Sequence, residues 1–94
     1  MLNEKFHVEV RRYKLAVEME GLTQLEVMGL ARTVSERMDE IEGRTGTVDT
    51  YKLAIRTCLD FAAEVNRLKA QQEAQRAVED QKIEGMVAGL QGAL

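Results

Sequence analysis

The sequence predicts an α+β protein that is mostly helical, with a small head (a two-stranded β-hairpin plus a helix) followed by a long C-terminal helix forming a coiled coil. Alternating apolar residues near the N-terminus indicate the two strands. An amphipathic stretch behind a capping signal indicates the first helix. The segment from Asp49 to Lys82 lacks proline and glycine, and as one helix it would be roughly 50 Å long. We expect a head at residues 1–68 and a coiled-coil arm at residues 69–94.

The hairpin is expected over about residues 6–19, with its turn near Arg11 and Arg12. Its apolar residues alternate with other residues in two runs, which are Phe6, Val8 and Val10, then Tyr13, Leu15, Val17 and Met19. A tight hairpin turn prefers Gly, Asn or Asp to arginine, so an N-terminal helix is the competing interpretation. His7 has no second His or Cys nearby in the sequence and is interpreted as a surface residue.

The first helix is expected over about residues 24–42. Thr23 and Glu26 have the spacing of a capping box, in which each residue satisfies an amide of the other. One face is apolar and contains Leu25, Met28, Ala31, Val34, Met38 and Ile41, widened by Val27 and Leu30. This face should cover the hairpin and the root of the long helix. The helix should end near Gly43, where a glycine can adopt positive φ.

The long helix should begin at Asp49 as N-cap, with Val48 and Leu53 at the spacing of a hydrophobic staple. Its first half has one apolar stripe of Leu53, Ala54, Cys58, Phe61, Ala62, Val65 and Leu68. We assign part of this stripe to the head core and an oligomer contact, namely Leu53, Cys58, Phe61, Val65 and Leu68. On that stripe the single cysteine is expected to be a buried thiol.

The second half of the long helix is poor in large apolar residues. Three alanines are expected to form a thin oligomer seam, Ala70, Ala74 and Ala77. A coiled coil of several chains is the favoured interpretation, and a free solvated arm is the alternative. Beyond Ile83 the glycines Gly85, Gly89 and Gly92 predict a frayed end.

Several functional classes are disfavoured by composition. The net charge of −3 argues against nucleic-acid binding, and no run of roughly 20 apolar residues is available to span a membrane. The expectation is a soluble cytoplasmic protein. Phosphate-binding loops, paired metal-binding residues and nucleophile triads are not found in the sequence, so we expect no enzyme, cofactor or metal. Asp60 and Glu64 are the only candidates for a small-molecule or metal site on the long helix, and pairing within the head explains them better.

Four stretches between about Val8 and Leu68 resemble one known family. They are Val8-x-Val10, Leu15-x-Val17, the run from Leu30 to Ile41, and Arg44-Thr-Gly-Thr-Val-Asp-Thr50 followed by Lys52-Leu-Ala. Together they resemble the cell division protein ZapA family, which binds and bundles the tubulin-like GTPase FtsZ. The sequence departs from the family pattern at Arg12, where a turn glycine is usual, at Tyr13, where a basic residue is usual, and at Asp60, where an asparagine is common.

The resemblance implies a non-catalytic protein that cross-links FtsZ protofilaments at the division site. It implies a dimer of heads and a tetramer formed through antiparallel long helices. Because FtsZ is acidic as a family, basic head residues are the predicted contacts: Arg37 and Arg44 by match to the family, and Arg11, Arg12 and Lys14 by their place at the strand turn. The alternative is a homo-oligomeric coiled-coil scaffold that binds another helical partner.

Overall fold

The computed structural model describes residues 5–93, with side chains described to residue 90. In chain order the elements are β1 (Lys5–Val10), β2 (Tyr13–Glu18), α1 (Gln24–Thr45) and α2 (Thr50–Ala93). The predicted α+β, mostly helical class is confirmed. The chain divides into two units, of which the first ends at Cys58 and the second begins at Leu59.

Strands β1 and β2 pair antiparallel around a two-residue turn. The apolar residues share one face, because Phe6 pairs with Val17, Val8 with Leu15, and Val10 with Tyr13. Helix α1 packs against β1, and Phe6 is buried. On β2, however, Tyr13 and Leu15 are 56% and 49% exposed. Helix α1 therefore covers only the β1 side of the apolar face.

The hairpin turn falls at Arg11 and Arg12, as predicted. Arg11 has φ 56°, in the left-handed region that side chains with a Cβ rarely occupy. It occupies the first central position of the turn, where both types of tight hairpin turn need positive φ. The absence of a turn glycine thus leaves a strained arginine that other contacts have to hold.

Helix α1 begins at the predicted cap, where the amide of Glu26 donates to Thr23 Oγ1 at 3.1 Å. Its buried residues follow a stripe of three- and four-residue steps, Val27, Ala31, Met38 and Ile41, with Val34 partly buried. Leu25, Met28 and Leu30, which the predicted face also contained, are exposed. The stripe is narrower than predicted because α1 meets one strand of the sheet, not both.

The predicted end of α1 at Gly43 is wrong. The helix continues to Thr45, and Gly46 is the residue with positive φ, 71°, its amide donating to the Glu42 carbonyl at 2.9 Å. A glycine inside a helix costs only about 1 kcal/mol. The hydroxyl of Thr45 donates to the Ile41 carbonyl at 2.8 Å, and Ile41 anchors this turn in the core. Arg44 consequently lies in the last helical turn and not in a loop.

The two glycines should respond to alanine with opposite signs. Gly46→Ala should lower the free energy of unfolding by about 1 kcal/mol, because a Cβ is strained at φ 71°. Gly43→Ala should raise it by up to about 1 kcal/mol, since a Cβ there would meet nothing within 4 Å. Urea denaturation of both variants measures these changes in the free energy of unfolding. A loss of stability in Gly43→Ala would place the helix end where the sequence pattern had put it.

Helix α2 begins at the predicted N-cap. Asp49 Oδ1 accepts from the amide of Lys52 at 3.0 Å. Leu53 is fully buried and packs with Met38 and Ile41 to form the core of the first unit. The predicted staple is not formed, because Val48 is 83% exposed whereas Leu53 is fully buried.

Cys58 is exposed, so the predicted buried thiol is wrong. The buried positions of α2 in the first unit are Leu53 and Thr57. The buried hydroxyl of Thr57 has a hydrogen-bond partner, because it donates to the Leu53 carbonyl at 2.8 Å. Cys58 follows Thr57 and lies about 100° further round the helix, outside the side of α2 that the core covers.

The second unit consists of the remainder of α2. Side chains from residue 65 to residue 90 are exposed, and the helix runs through Gly85 and Gly89 to Ala93. Leu94 lies outside the described residues. Within residues 5–93, no helix is long and apolar enough to pass through a bilayer.

Candidate functional site

Arg11, at the hairpin turn, is held by α1 through three groups. Its guanidinium lies 3.2 Å from Asp39 Oδ1 and 2.9 Å from Glu42 Oε2. Its amide donates to Ser35 Oγ at 3.0 Å. These residues, four and three positions apart, lie on one side of α1 and fix the strained turn against it. We call Arg11 with Ser35, Asp39 and Glu42 the turn clamp.

The positive charge of Arg11 is paired with carboxylates of its own chain. The hydrogen bond that its guanidinium donates to Glu42 raises the pKa of Arg11 above its ordinary value, and the negative charges of Glu42 and Asp39 act in the same direction. A raised pKa stabilises the fold at every pH below the ordinary pKa of arginine, and that stabilisation is lost only as the pH rises through the higher folded-state pKa. Arg11 therefore stays charged at any working pH.

Replacing one carboxylate of the turn clamp should weaken the fold measurably. Glu42→Gln should lower the free energy of unfolding by up to about 1 kcal/mol, since the pair is partly exposed to solvent. Glu40→Gln removes the same charge from an exposed position of α1 and serves as the control. Urea denaturation at low and high salt measures both. Equal stabilities for the two variants at low salt would contradict a stabilising clamp.

The other predicted partner-binding residues occupy separate parts of the first unit. Arg12 and Lys14 are exposed at the turn and on β2. Arg37 is partly buried on α1, and Arg44 is exposed in its last turn. The turn brings Arg11, Arg12 and Lys14 together in one region, and α1 presents Arg37 and Arg44 elsewhere along its length. Whether any of them binds a partner stays a prediction.

A groove with a volume of about 970 Å³ lies between the two-stranded sheet and α1, and residues of both strands line it. Leu15 lines it from the strand, and Met28, Ala31, Arg32 and Ser35 line it from the helix. The groove exists because α1 lies under β1 and leaves the β2 side of the sheet uncovered. Sequence reasoning did not single out Arg32. The spacing of Met28, Arg32 and Ser35, in steps of four and three, was the available signal that they share a side of α1.

The predicted oligomer residues differ in their exposure. Leu53 belongs to the core of the first unit, whereas Cys58 is exposed. In the second unit Phe61 is partly buried, and the others are exposed, namely Val65, Leu68, Ala70, Ala74 and Ala77. Exposed apolar residues of α2 that the predicted set omitted include Tyr51 and Ile55 in the first unit and Leu59 in the second. Most of the predicted interface is thus uncovered in a single chain.

Two stripes run along α2 in the second unit, on opposite sides of the helix. At about 100° per residue, Val65 and Leu68 fall on the same side as the exposed residues Ile83, Met86 and Leu90. We call these five residues the large-residue stripe. Ala70, Ala74 and Ala77 fall on the opposite side and are called the alanine stripe. The alanines therefore do not continue the stripe of Val65 and Leu68.

The acidic residues considered for a metal or small-molecule site, Asp60 and Glu64, are both partly buried on α2. His7 is exposed, and its backbone carbonyl accepts from Gln24 Nε2 at 3.1 Å. Within residues 5–93, no three His, Cys, Asp or Glu side chains lie close enough to hold a metal ion.

One comparison with known proteins identifies the family. The family model for cell division protein ZapA matches residues 7–90. That range takes in most of the hairpin, all of α1 and nearly all of α2. Neither the curated proteins nor the solved structures gave a match to the chain. Because the match covers most of the chain and all four elements, this protein belongs to the cell division protein ZapA family.

Proposed function

We propose that this protein binds FtsZ in the cytoplasm at the division site and cross-links neighbouring protofilaments without catalysing a reaction. Membership of the ZapA family is the observation that carries the proposal. The match extends over the first unit, which would supply the partner contact, and over the long helix, which would supply the connection between chains.

Self-association is supported by the exposure of α2. A helix whose side chains are exposed from residue 65 to residue 90 gains almost no stability from packing within its own chain. The large-residue stripe and the alanine stripe lie on opposite sides, so one neighbouring helix cannot cover both. Two different helix contacts, and hence a tetramer, would cover them.

Several heads on one particle would make weak contacts useful. A single head that holds FtsZ through a few basic side chains would bind weakly, because exposed ion pairs contribute little. Linking several heads raises the effective concentration at the second filament, so the assembly binds more tightly than any one head. Cross-linking would follow from the number of heads.

Two measurements test the proposed function. Sedimentation equilibrium over a concentration series should give a dimer–tetramer equilibrium. Pelleting with purified, polymerised FtsZ should bring the protein down with the filaments and increase their bundling. An oligomer that leaves FtsZ filaments unchanged would contradict FtsZ binding, and a monomer at every concentration would contradict the cross-linker.

The second candidate function is an oligomeric scaffold that binds another helical partner through its long helix. The exposed residues Ile83, Met86, Val87 and Leu90, spaced as one side of a helix, favour it. Self-association without FtsZ pelleting is the result that would select this function.

A further inference from the structure

The conformation of the hairpin turn depends on Arg11. Among the described residues, Arg11 is the one non-glycine residue with positive φ, and Arg12, the second central residue of the turn, does not share it. Positive φ at the first central residue only is the pattern of a type II′ turn, in which glycine is preferred at that position. This arginine therefore has the backbone of a turn glycine, and other contacts have to hold it there.

The turn clamp provides those contacts at both ends of Arg11. The backbone amide donates to Ser35 Oγ at 3.0 Å. The guanidinium lies between Asp39 and Glu42, and the side chain is only 22% exposed. A carboxylate of another protein would have to displace these two carboxylates in order to bind Arg11. Exchanging one set of partly exposed ion pairs for another yields little binding free energy.

The neighbouring basic residues are differently placed. Arg12 and Lys14 are exposed, and Arg12 has no ion pair with any side chain that the structure describes. Moving φ of Arg11 from 56° to about −60°, the value in type I and type II turns, would rotate the backbone beyond it by about 120°. Turns of those two types would also splay the strands. The backbone of Arg11 therefore determines the direction in which Arg12 projects.

We propose that Arg11 is a positioning residue for partner binding, held by the turn clamp in positive φ so that Arg12 and Lys14 are presented to an acidic surface of the partner. The inference rests on the proposed function and divides its predicted basic contacts into two roles. Arg12 and Lys14 supply positive charge to the contact. Arg11 supplies the conformation of the turn, and its own charge is used within the chain.

Neutralising the clamp carboxylates separates the two roles by the sign of the effect. Asp39→Asn combined with Glu42→Gln, the clamp variant, releases the guanidinium of Arg11 and removes two negative charges from the head. If Arg11 itself contacted an acidic partner, binding would become tighter. If the clamp positions the turn, binding should become several-fold weaker despite the added positive charge. Pelleting with polymerised FtsZ over a concentration series measures the apparent Kd.

The matched control carries the same change of charge on the same helix. Glu36→Gln combined with Glu40→Gln replaces two exposed carboxylates of α1 that lie outside the turn clamp. This control should bind FtsZ at least as tightly as the unmodified protein. A clamp variant that binds as tightly as the control would overturn the proposal. Sedimentation equilibrium at the assay concentration shows whether the two variants carry the same number of heads.

Glycine at position 11 provides a rescue test that does not depend on the carboxylates. Arg11→Ala and Arg11→Gly both delete the guanidinium, but only glycine occupies φ 56° without strain. Arg11→Ala should therefore weaken FtsZ binding several-fold, and Arg11→Gly should restore most of it. Arg12→Gly removes a charge that the proposal places in the contact, and it should weaken binding several-fold. Equally weak binding by Arg11→Gly and Arg11→Ala would make Arg11 a contact residue and overturn the proposal.

Backbone amide relaxation, measured by NMR without FtsZ, distinguishes failure of this proposal from failure of the proposed function. In the unmodified protein the amides of Arg11 and Arg12 should be as rigid as those of β1. In the clamp variant they should gain motion on the nanosecond timescale. Unchanged rigidity would overturn the positioning role. If the motion increases as expected but the unmodified protein does not pellet with FtsZ filaments, the clamp still positions Arg12 and the proposed function fails instead.

Discussion

Leu53→Ala is expected to lower the free energy of unfolding by about 3 kcal/mol. Leu53 is fully buried against Met38 and Ile41, and removing a buried leucine side chain loses apolar burial and leaves a cavity. For a chain of this size the loss corresponds to a fall in melting temperature of roughly 12 to 24 °C. The core that joins α1 to the start of α2 would then be the main source of stability in the first unit.

Leu25→Ala is the matched control for this measurement, because Leu25 lies on α1 and is 78% exposed. It should change the melting temperature by no more than a few degrees. Thermal unfolding followed by circular dichroism at equal protein concentration compares the two variants. A similar effect of both substitutions would mean that residues outside the described core determine stability.

A glutamate on either stripe of α2 should halve the mass of the largest assembly. Leu68→Glu places a charge on the large-residue stripe, and Ala74→Glu places one on the alanine stripe. An uncompensated charge in a helix contact costs about 3 kcal/mol, which lowers the association constant more than 100-fold. Each variant alone should give dimers, and the double variant, which loses both helix contacts, should give monomers.

Gln71→Glu is the control, since Gln71 is exposed and lies between the two stripes. It adds the same charge and should leave the mass distribution unchanged. Sedimentation equilibrium on all four proteins measures the outcome. If Ala74→Glu behaves like Gln71→Glu, the alanine stripe is a solvated surface and α2 has a single partner.

The sequence predicted the elements well where local signals act alone. Thr23 and Asp49 are caps because an oxygen at these positions reaches an amide two or three residues on, and that geometry depends only on nearby residues. The alternation of Phe6, Val8 and Val10 identified β1 for the same reason. These features do not depend on what the rest of the chain does.

Predictions failed where two nearby residues suited the same role equally well and packing in the folded chain determined which one filled it. Gly43 and Gly46 are both suitable helix ends, and the burial of Ile41 decided in favour of the later one. Cys58 lies on an apolar stripe, but the residues of α2 that are buried in the first unit are Leu53 and Thr57, and Ala54 packs partly buried beside them. The turn clamp was missed because Arg11 was read as a surface charge, while its carboxylate partners on α1 are distant in sequence.

The unbroken helix from Thr50 to Ala93 restricts how its length can change. Each inserted residue adds about 1.5 Å and turns everything beyond it by about 100°. Seven residues bring the side chains back to within about 20° of their starting direction. Insertions or deletions of one heptad, about 10.5 Å, would preserve both stripes, whereas one or two residues would twist them out of line. The length of α2 can therefore change without disrupting the two stripes only in steps of whole heptads.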